Sequence, residues 1–269
     1  MDLTTRTFGI EIECGSPAAG ELAARIAQAG IRVRAEGYNH ETRSYWKIVT
    51  DGSIRNLNPG FVGVEVVSPV LTGAEGIAQI EKVCAVLVAQ GCIVNATCGM
   101  HVHVGASDLT LTNFKSLVKA FNRYEVAMDS FMPASRRAST NHFCKALAYN
   151  HSDFNAAVDG ASSINTLITR TVGDDRYRKL NLTAFWRHQT VEFRHHSGTV
   201  EAEKATQWVR FCLLFVESAR KNGKVLTTQV SLQTLTNRLF GRLTTTNAIA
   251  KQSKNFYLAR QQKFAGRAN

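Results

Sequence analysis

The sequence predicts an α+β fold, in which helices pack on one face of a mostly antiparallel sheet. Three observations support this prediction. Several short segments alternate apolar with ionisable residues, amphipathic segments lie between them, and the predicted elements follow the order β-α-β-β-α-β-α-β-β-α. The chain has 269 residues, of which 44% are hydrophobic, so it can bury one large core or two small ones.

The N-terminal part of the chain predicts three strands and one helix. The segment TFGIEIE, residues 7–13, alternates strictly and predicts a strand with one apolar and one acidic face. AGELAARIAQAG has helical spacing and ends at Gly30. IRVRAEGYNHETRSYWKIVTDGSI alternates weakly and turns at the Asp-Gly pair that begins at Asp51, which is typical of a hairpin. GVEVVSPVL, residues 63–71, predicts the next strand.

The rest of the chain continues the alternation of helices and strands. CGMHVHVG, residues 98–105, predicts a strand, and LTNFKSLVKAFNRYEVAMDSFM is the clearest amphipathic helix. Residues 140–175 are irregular, RYRKLNL and TVEFRHHSG predict two strands, and a helix follows up to Gly223. The segment GAEGIAQIEKVCAVLVAQG predicts a helix whose core face consists of Ile77, Ile80, Val83, Cys84 and Leu87.

Composition points to a cytoplasmic, soluble protein. The start MDLTTRTFGIEIE has neither the basic nor the apolar region of a signal peptide. The apolar run WVRFCLLFV is too short to span a bilayer and contains Arg210, so no membrane partner is expected. No CxxC pair occurs, and we expect reduced, mostly buried thiols at all six cysteines, which are Cys14, Cys84, Cys92, Cys98, Cys144 and Cys212.

The net charge of +11 is concentrated at the C-terminus. Residues 221–269 contain nine of the 32 Lys and Arg residues and no Asp or Glu, which leaves a net charge of only +2 on residues 1–220. Such a segment is either a solvated extension that aids solubility or a binding surface for nucleic acid, an anionic surface or an acidic protein. No aromatic-interleaved nucleic-acid motif accompanies it.

Four of the predicted strands carry ionisable side chains on one face and apolar side chains on the other. Residues two apart in a strand share a face. Taken singly, a Glu-x-Glu strand is more often a solvated edge. A lone His-x-His pair is more often structural, and a lone Glu-x-Arg pair is more often a surface ion pair. The apolar flanks of all four favour a shared concave surface, and the residues in question are Glu11 and Glu13, Glu65, His101 and His103, and Glu192 and Arg194.

A group of carboxylates on one surface requires counter-charge, because like charges raise one another's pKa. Divalent cations supply that charge, and carboxylate oxygens with a single imidazole suit Mg²⁺ or Mn²⁺ better than zinc. Cations held in this way commonly bridge the phosphates of a nucleotide such as ATP. Arg194 and the arginines of RYRKLN would then stabilise a transferring phosphoryl group.

These motifs resemble a known family. GMHVHVG is similar to the GMHCH strand of glutamine synthetases, TVEFR to their IEVR strand, and GIEIE to their early Glu-x-Glu strand, in the same order along the chain. The set FGIEIE, DGSI, GVEVVSPVL, CGMHVHVG, RYRKLNL and TVEFRHHSGT is more similar to the amidoligase family, a branch of the glutamine-synthetase-like carboxylate–amine ligases. The resemblance covers about residues 7–217.

The resemblance implies a fold, a domain organisation and a reaction. The fold would be the glutamine-synthetase-like catalytic fold with its curved sheet, formed by residues 1–220 and followed by a basic C-terminal extension, residues 221–269. The reaction would be ATP-dependent amide formation through an acyl phosphate. The acceptor would be an amino acid, a peptide, a protein side chain or a modified nucleobase that carries a carboxylate, and the second substrate would be an amine.

The resemblance also implies roles for individual residues. Glu13 and Glu65 would hold a divalent cation near the acyl phosphate. Glu11, His101 and Glu192 would hold a cation on the phosphates of ATP. Both cations would be Mg²⁺ or Mn²⁺.

Further polar residues complete the implied site. Arg194 would contact the transferring phosphoryl group, His103 would orient the substrate or the phosphate, and Asp51 would help to bind the amine. The phosphates of ATP would also face one or more of Arg176, Arg178 and Lys179.

Three other interpretations remain open at the level of the sequence. A guanidino kinase shares the sheet architecture and the phosphoryl chemistry but lacks the GMHxH strand. A metal hydrolase needs further ligand histidines at strand ends. The histidines other than His101 and His103 do not follow that pattern; they are His40, His142, His151, His188, His195 and His196. A non-catalytic relative would use its basic tail, residues 221–269, to bind nucleic acid or a protein complex.

Overall fold

A computed structural model describes residues 5–222, 230–241 and 247–265. These residues form an open, mostly antiparallel sheet of seven strands in the order β2-β3-β4-β1-β5-β7-β6. The mixed architecture with a mostly antiparallel sheet is confirmed, and the specific glutamine-synthetase-like fold stays a prediction. The strands are β1 (Phe8–Ser16), β2 (Val33–Ala35), β3 (Trp46–Thr50), β4 (Val62–Val67), β5 (Gly99–Gly105), β6 (Leu180–Asn181) and β7 (Thr190–Ser197).

Nine α-helices occur within the described residues, together with a short 3-10 turn at Ala134–Arg136. They are α1 (Ala19–Gln28), α2 (Gly73–Ala89), α3 (Leu111–Asp129), α4 (Phe154–Asp159), α5 (Ile164–Thr171), α6 (Ala184–His188), α7 (Ala202–Asn222), α8 (Leu232–Phe240) and α9 (Ala248–Ala265). The chain divides into two compact units. Of the described residues, 5–103 and 196–209 form the first unit, and 104–195, 210–222, 230–241 and 247–265 form the second.

In the first unit, β1, β3 and β4 are antiparallel neighbours with a fixed register. Glu13 of β1 lies opposite Glu65 of β4, and Glu65 also lies opposite Val49 of β3. The adjacent row of Ile12, Val66 and Ile48 points to the other face and is buried. This alternation places apolar side chains in the core and carboxylates on the opposite face.

Helix α2 covers part of the first unit as the sequence predicts. Gly76 is buried in this helix, and a Cβ atom there would lie 2.8 Å from the ring of Phe8, so only glycine permits this close approach. The predicted core face is confirmed, because all five of its members are buried: Ile77, Ile80, Val83, Cys84 and Leu87.

In the second unit, α3 packs against an aromatic core. Thr110 caps α3 through its side chain, which accepts from the N–H of Asn113, and the helix buries Phe121. The ring of Phe121 lies 5.9 Å from the rings of both Phe193 and Phe215, a distance typical of favourable aromatic packing. The RYRKLNL strand is shorter than predicted, since only Leu180–Asn181 pairs with β7.

Part of the basic C-terminal segment packs within the second unit, and the boundary of the extension at residue 221 stays a prediction. Helices α8 and α9 belong to the second unit, and Tyr257 of α9 is 1% exposed. Its ring lies 4.9 Å from the ring of Phe131 and 5.1 Å from that of Phe211. The sequence obscured this packing because α9 interrupts its apolar positions with Lys, Gln and Asn.

All six cysteines are free thiols and all six are buried, as predicted. Among the described residues, no helix is long and apolar enough to cross a membrane.

Candidate active site

The first unit gathers five of the predicted site residues on one face of its strands. Glu11 and Glu13 come from β1, Glu65 from β4, and His101 and His103 from β5. Glu11 and Glu13 share a face because they are two residues apart, and Glu65 joins them because it lies directly opposite Glu13. We call these five residues the acidic cluster.

Each histidine of the acidic cluster lies against a carboxylate. The Nδ1 atom of His101 is 2.9 Å from Oε2 of Glu11, and its Nε2 atom is 3.5 Å from Oε1 of Glu13. The Nε2 atom of His103 is 3.4 Å from Oε1 of Glu11. The imidazole of His101 therefore bridges the two glutamates of β1.

Burial holds the inner part of the cluster in place. Glu13 is 7% exposed and His101 is 3% exposed. Oε2 of Glu13 accepts a hydrogen bond of 2.5 Å from the N–H of Gly99, at the start of β5. One carboxylate oxygen of Glu13 is thus fixed by the backbone, and the other faces His101.

Glu13, Glu65 and His101 each present one donor atom, and these three atoms lie within 4.8 Å of one another. Two carboxylate oxygens and one imidazole nitrogen form a donor set that suits Mg²⁺ or Mn²⁺. The chemistry of the residues present therefore fits a divalent cation.

The electrostatics of the cluster are asymmetric. Burial, followed by the charges of Glu11, Glu13 and Asp51, raises the pKa of Glu65 well above its ordinary value. Burial also tends to raise the pKa of Glu11, but its hydrogen bonds to His101 and His103 and their charges outweigh that effect and lower it well below the ordinary value. A bound cation would relieve the repulsion that Glu65 experiences.

Asp51 lies in the loop that follows β3, where it organises the turn. Its Oδ1 atom accepts a hydrogen bond of 2.7 Å from the N–H of Ser53. Its negative charge contributes to the raised pKa of Glu65. A contact of Asp51 with an amine substrate stays a prediction.

Lys47 of β3 is a site residue that the sequence interpretation missed. It lies opposite Val67 of β4, which in turn lies opposite Glu11, so Lys47 shares the face of the acidic cluster. Lys47 is only 3% exposed, and its Nζ donates to the carbonyls of Asn39 and Glu41 at 3.0 and 2.8 Å and to Oδ1 of Asn39 at 2.8 Å. The available signal was a lysine inside the apolar strand WKIVT.

Lys47 anchors residues 36–44, which connect β2 to β3 and which we call the anchored loop. Within it, Glu36 accepts hydrogen bonds from the hydroxyl of Tyr45 at 2.6 Å and from Nδ2 of Asn39 at 2.9 Å. At its tip, the exposed Tyr38 places its hydroxyl 3.2 Å from Nε2 of His40. The loop thus presents an aromatic and an imidazole group to solvent.

Glu192 and Arg194 lie on β7 in the second unit, where they contact each other. The Nη1 atom of Arg194 donates to Oε1 of Glu192 at 2.6 Å. Oε2 of Glu192 accepts from Nδ2 of Asn181, its partner in β6, also at 2.6 Å. Glu192 is 4% exposed, so both oxygens of a buried carboxylate are hydrogen-bonded.

The basic residues before β6 differ in their surroundings. Arg176 is exposed, with its guanidinium 5.1 Å from the centre of the Tyr177 ring. Arg178 is buried, and its Nη1 donates to the carbonyls of Ala146 and Tyr149 at 3.2 and 2.8 Å. Arg176 is therefore better placed than Arg178 to meet a phosphate.

Lys179 is paired with carboxylates of α3. It is fully buried, and its Nζ lies 3.1 Å from Oε1 of Glu125 and 2.7 Å from Oδ1 of Asp129, both on α3. His195 contacts the same Asp129 oxygen through Nε2 at 2.6 Å. Two carboxylates already neutralise its ammonium group, and a phosphate contact of Lys179 stays a prediction.

The fold and the acidic cluster define an α/β protein with a carboxylate–imidazole site suited to a divalent cation. A comparison with protein families matches residues 4–216 to the family described as "Putative amidoligase enzyme". The chain belongs to this family, as the sequence motifs predict, and the family implies a ligase. No curated protein matches the chain.

Proposed function

We propose that the protein is an ATP-dependent carboxylate–amine ligase that forms an amide bond through an acyl phosphate. The observation that carries this proposal is the convergence of Glu13, Glu65 and His101 within 4.8 Å, in a chain that belongs to an amidoligase family. Such a donor set serves a reaction in which the negative charge of phosphates must be neutralised.

In the proposed reaction, a carboxylate oxygen of the acceptor attacks the γ-phosphorus of ATP. The bond from that phosphorus to the bridging oxygen breaks, and ADP leaves. The amine nitrogen then attacks the carbonyl carbon of the acyl phosphate. The bond from that carbon to the phosphate oxygen breaks, and the amide, phosphate and one proton are released.

Glu13 and Glu65, beside His101, would hold one divalent cation, which supplies positive charge beside the transferring phosphoryl group. His101 and His103 would keep Glu11 ionised and fixed in position, as their contacts at 2.9 and 3.4 Å suggest. The N–H of Gly99 would orient the carboxylate of Glu13.

The resemblance implies that Glu11, His101 and Glu192 hold a second cation, which binds the phosphates of ATP. Arg194 would then leave Glu192 and contact the transferring phosphoryl group. Among Arg176, Arg178 and Lys179, the exposed Arg176 is the best placed for a phosphate contact. The acceptor carboxylate and the amine would be small molecules, peptides, protein side chains or nucleobases.

The direct test is ADP release by the purified protein with ATP and Mg²⁺. Hydroxylamine serves as a generic amine, and pools of amino acids and cell-wall peptides serve as carboxylates. ADP that appears only with a carboxylate pool, together with a hydroxamate, is the expected result. Absence of both ADP formation and ATP binding would contradict the proposal.

Matched variants separate the site from the fold. Glu65→Gln in the acidic cluster is expected to abolish ADP formation, whereas Glu81→Gln on the exposed surface of α2 is expected to leave it unchanged. Glu192→Ala is also expected to abolish turnover. Because Glu192 is buried and hydrogen-bonded, Glu192→Ala should in addition cost about 1–3 kcal/mol of stability, so it is assayed well below its melting temperature.

The alternative of a non-catalytic relative that binds nucleic acid through residues 221–269 makes a different prediction. Binding to a phosphate backbone weakens steeply with salt, whereas ATP turnover persists. Strong, salt-sensitive binding of an oligonucleotide by a protein that neither binds nor hydrolyses ATP would favour the alternative.

A further inference from the structure

A cleft of about 750 Å³ opens in the first unit, at the junction of three elements. Its walls are the residues after α1, the start of β3 and the first half of α2. Its volume falls within the range of sites that hold small ligands or short peptide segments. The residues that matter below are Arg32, Arg43, Tyr45, Trp46, Leu71 and Lys82.

The charges that line the cleft are mainly positive. Arg32, Arg43 and Lys82 face one acidic residue, Glu75. Arg43 is already neutralised by Glu36, whose Oε2 atom lies 3.1 Å from its Nη2. Among the described residues, Arg32 and Lys82 have no carboxylate partner and both are exposed. The cleft therefore offers two cations for an anionic ligand.

The neutralising Glu36 remains charged in the folded protein. Its hydrogen bonds from the Tyr45 hydroxyl and from Arg43 lower its pKa to about 2. The Glu36–Arg43 pair thus persists at physiological pH, and the positive charge of the cleft comes from Arg32 and Lys82, opposed by Glu75.

The floor of the cleft is apolar and rigid. Leu71 is 4% exposed and Trp46 is 1% exposed, and the indole N–H of Trp46 donates to Oε1 of Gln79 at 3.0 Å. Val70 at the rim is 60% exposed. Leu71 and Trp46 are already shielded from water, so the apolar side chain that a ligand could cover is Val70, and aliphatic groups beside the negative charges of the ligand would do so.

The aromatic ring in the cleft is not available to stack on a nucleobase. The guanidinium of Arg32 lies 5.6 Å from the centre of the Tyr45 ring, and that of Arg34 lies 4.7 Å from it. These cation–π contacts occupy the ring. Single-stranded nucleic acids gain much of their affinity from base stacking on aromatic side chains, so the cleft favours a peptide over a single-stranded oligonucleotide.

From this combination we infer that the cleft binds a peptide segment in which acidic side chains alternate with aliphatic ones. Carboxylates of the segment pair with Arg32 and Lys82, and its aliphatic side chains cover Val70. The inference goes beyond the proposed ligase activity and does not depend on it, because the cleft uses none of the residues assigned to catalysis.

The test measures fluorescence anisotropy of a labelled hexapeptide of alternating glutamate and valine, added to the full-length protein. The control peptide replaces each glutamate by glutamine. The acidic peptide is expected to bind, and the neutral peptide is expected to bind at least tenfold more weakly. Equal affinity for both peptides, or binding of neither, would overturn the inference.

Charge-reversal variants locate the binding. The double substitution Arg32→Glu, Lys82→Glu is expected to weaken binding of the acidic peptide by about tenfold or more, and a tenfold loss corresponds to about 1.4 kcal/mol. Arg25→Glu, at an exposed arginine of α1 outside the cleft, is expected to change the affinity less than twofold. Equal losses in the two proteins would overturn the assignment to the cleft.

Two further measurements keep the inference separate from the proposed function. Glu65→Gln, which is expected to lack ligase activity, should bind the acidic peptide as the wild type does. A labelled oligonucleotide should not compete for the cleft. Competition in the wild type, together with direct binding of the oligonucleotide that is lost in the Arg32→Glu, Lys82→Glu protein, would reassign the cleft to polyanions in general and overturn the peptide inference.

Discussion

Two carboxyl groups of the acidic cluster have pKa values displaced in opposite directions. Glu11 is held ionised by His101 and His103, whereas Glu65 resists ionisation because it is buried beside Glu11 and Glu13. Separate environments commonly divide roles between neighbouring carboxyl groups in this way. In the proposed ligase, a cation supplies the charge that lets both groups ionise together.

Glu65→Gln should reduce the loss of folding stability that the cation-free protein shows as the pH rises. A carboxyl whose pKa is raised by folding contributes stability at low pH, and that contribution is lost as the pH rises from the ordinary value of 4.5 through the raised one. Urea unfolding with a chelator at pH 5 and pH 8 measures this loss. We expect the free energy of unfolding to fall less between pH 5 and pH 8 in Glu65→Gln than in the wild type and in Glu81→Gln. Equal falls in all three proteins would contradict the account.

His195 predicts a second pH dependence, in the opposite direction. Burial, opposed by its contact with Asp129, lowers its pKa to about 4. The unfolded chain takes up this proton near pH 6.5 and the folded protein does not, so stability is lost as the pH falls from about 6.5 towards 4, by up to ~3 kcal/mol.

The measurement for His195 is the free energy of unfolding of the wild type and of His195→Asn at pH 7 and pH 5. His195→Asn should be less stable at pH 7 but should lose less stability between the two pH values. A pH dependence identical to that of the wild type would show that His195 does not titrate as described.

At the level of elements, the anchored loop depends on one buried lysine. Lys47 donates to the loop and lies on the face of the acidic cluster, so its strand connects the loop with the site. Burial lowers the pKa of Lys47, while the charges of Glu36, Glu65 and Glu11 oppose that effect. The loop is thereby fixed to β3 by a buried ammonium group.

Lys47→Met should release the anchored loop while keeping most of the apolar packing. The carbonyls of Asn39 and Glu41 lose their donor, at a cost of about 1–3 kcal/mol. Hydrogen exchange should accelerate in residues 37–44 and remain unchanged in α3. Lys115→Met, which removes an exposed contact with the carbonyl of Asp159, is the control and should leave that loop protected.

Elements with strict local periodicity could be predicted from the sequence, and long-range pairings could not. Alternation in FGIEIE and GMHVHVG places β1 and β5, and helical spacing gives the core face of α2. The partners of Lys179 lie about 50 residues away on α3, so RYRKLN alone could not reveal that this lysine is buried. Lys47 was missed because its burial depends on the loop carbonyls that accept from its ammonium group, and local sequence patterns do not predict the shape of that loop.

At the level of the whole chain, the family match and the second unit end at different places. The match ends at residue 216, but α8 and α9 contribute Phe240 and Tyr257 to the buried core of the second unit. Tyr257 contacts Phe131, Phe211 and Phe240. The basic segment therefore stabilises the unit, in addition to any role of its exposed charges.

Removal of residues 223–269 should destabilise the protein, although these residues lie outside the family match. The truncation exposes the rings of Phe131 and Phe211, and loss of a single buried aromatic side chain alone costs about 3–5 kcal/mol. Thermal unfolding and sedimentation compare the truncated and full-length chains. A truncated chain that is monomeric with an unchanged melting temperature would contradict this account.

The measurement that tests the central claim most directly is a titration of the protein with Mn²⁺, followed by electron paramagnetic resonance. The wild type should bind Mn²⁺, and Mg²⁺ should displace it. Glu13→Gln and Glu65→Gln should each weaken binding by about tenfold or more, while Glu81→Gln should bind as the wild type does. Equal Mn²⁺ affinity in all four proteins would show that the acidic cluster holds no cation and would contradict the proposed ligase site.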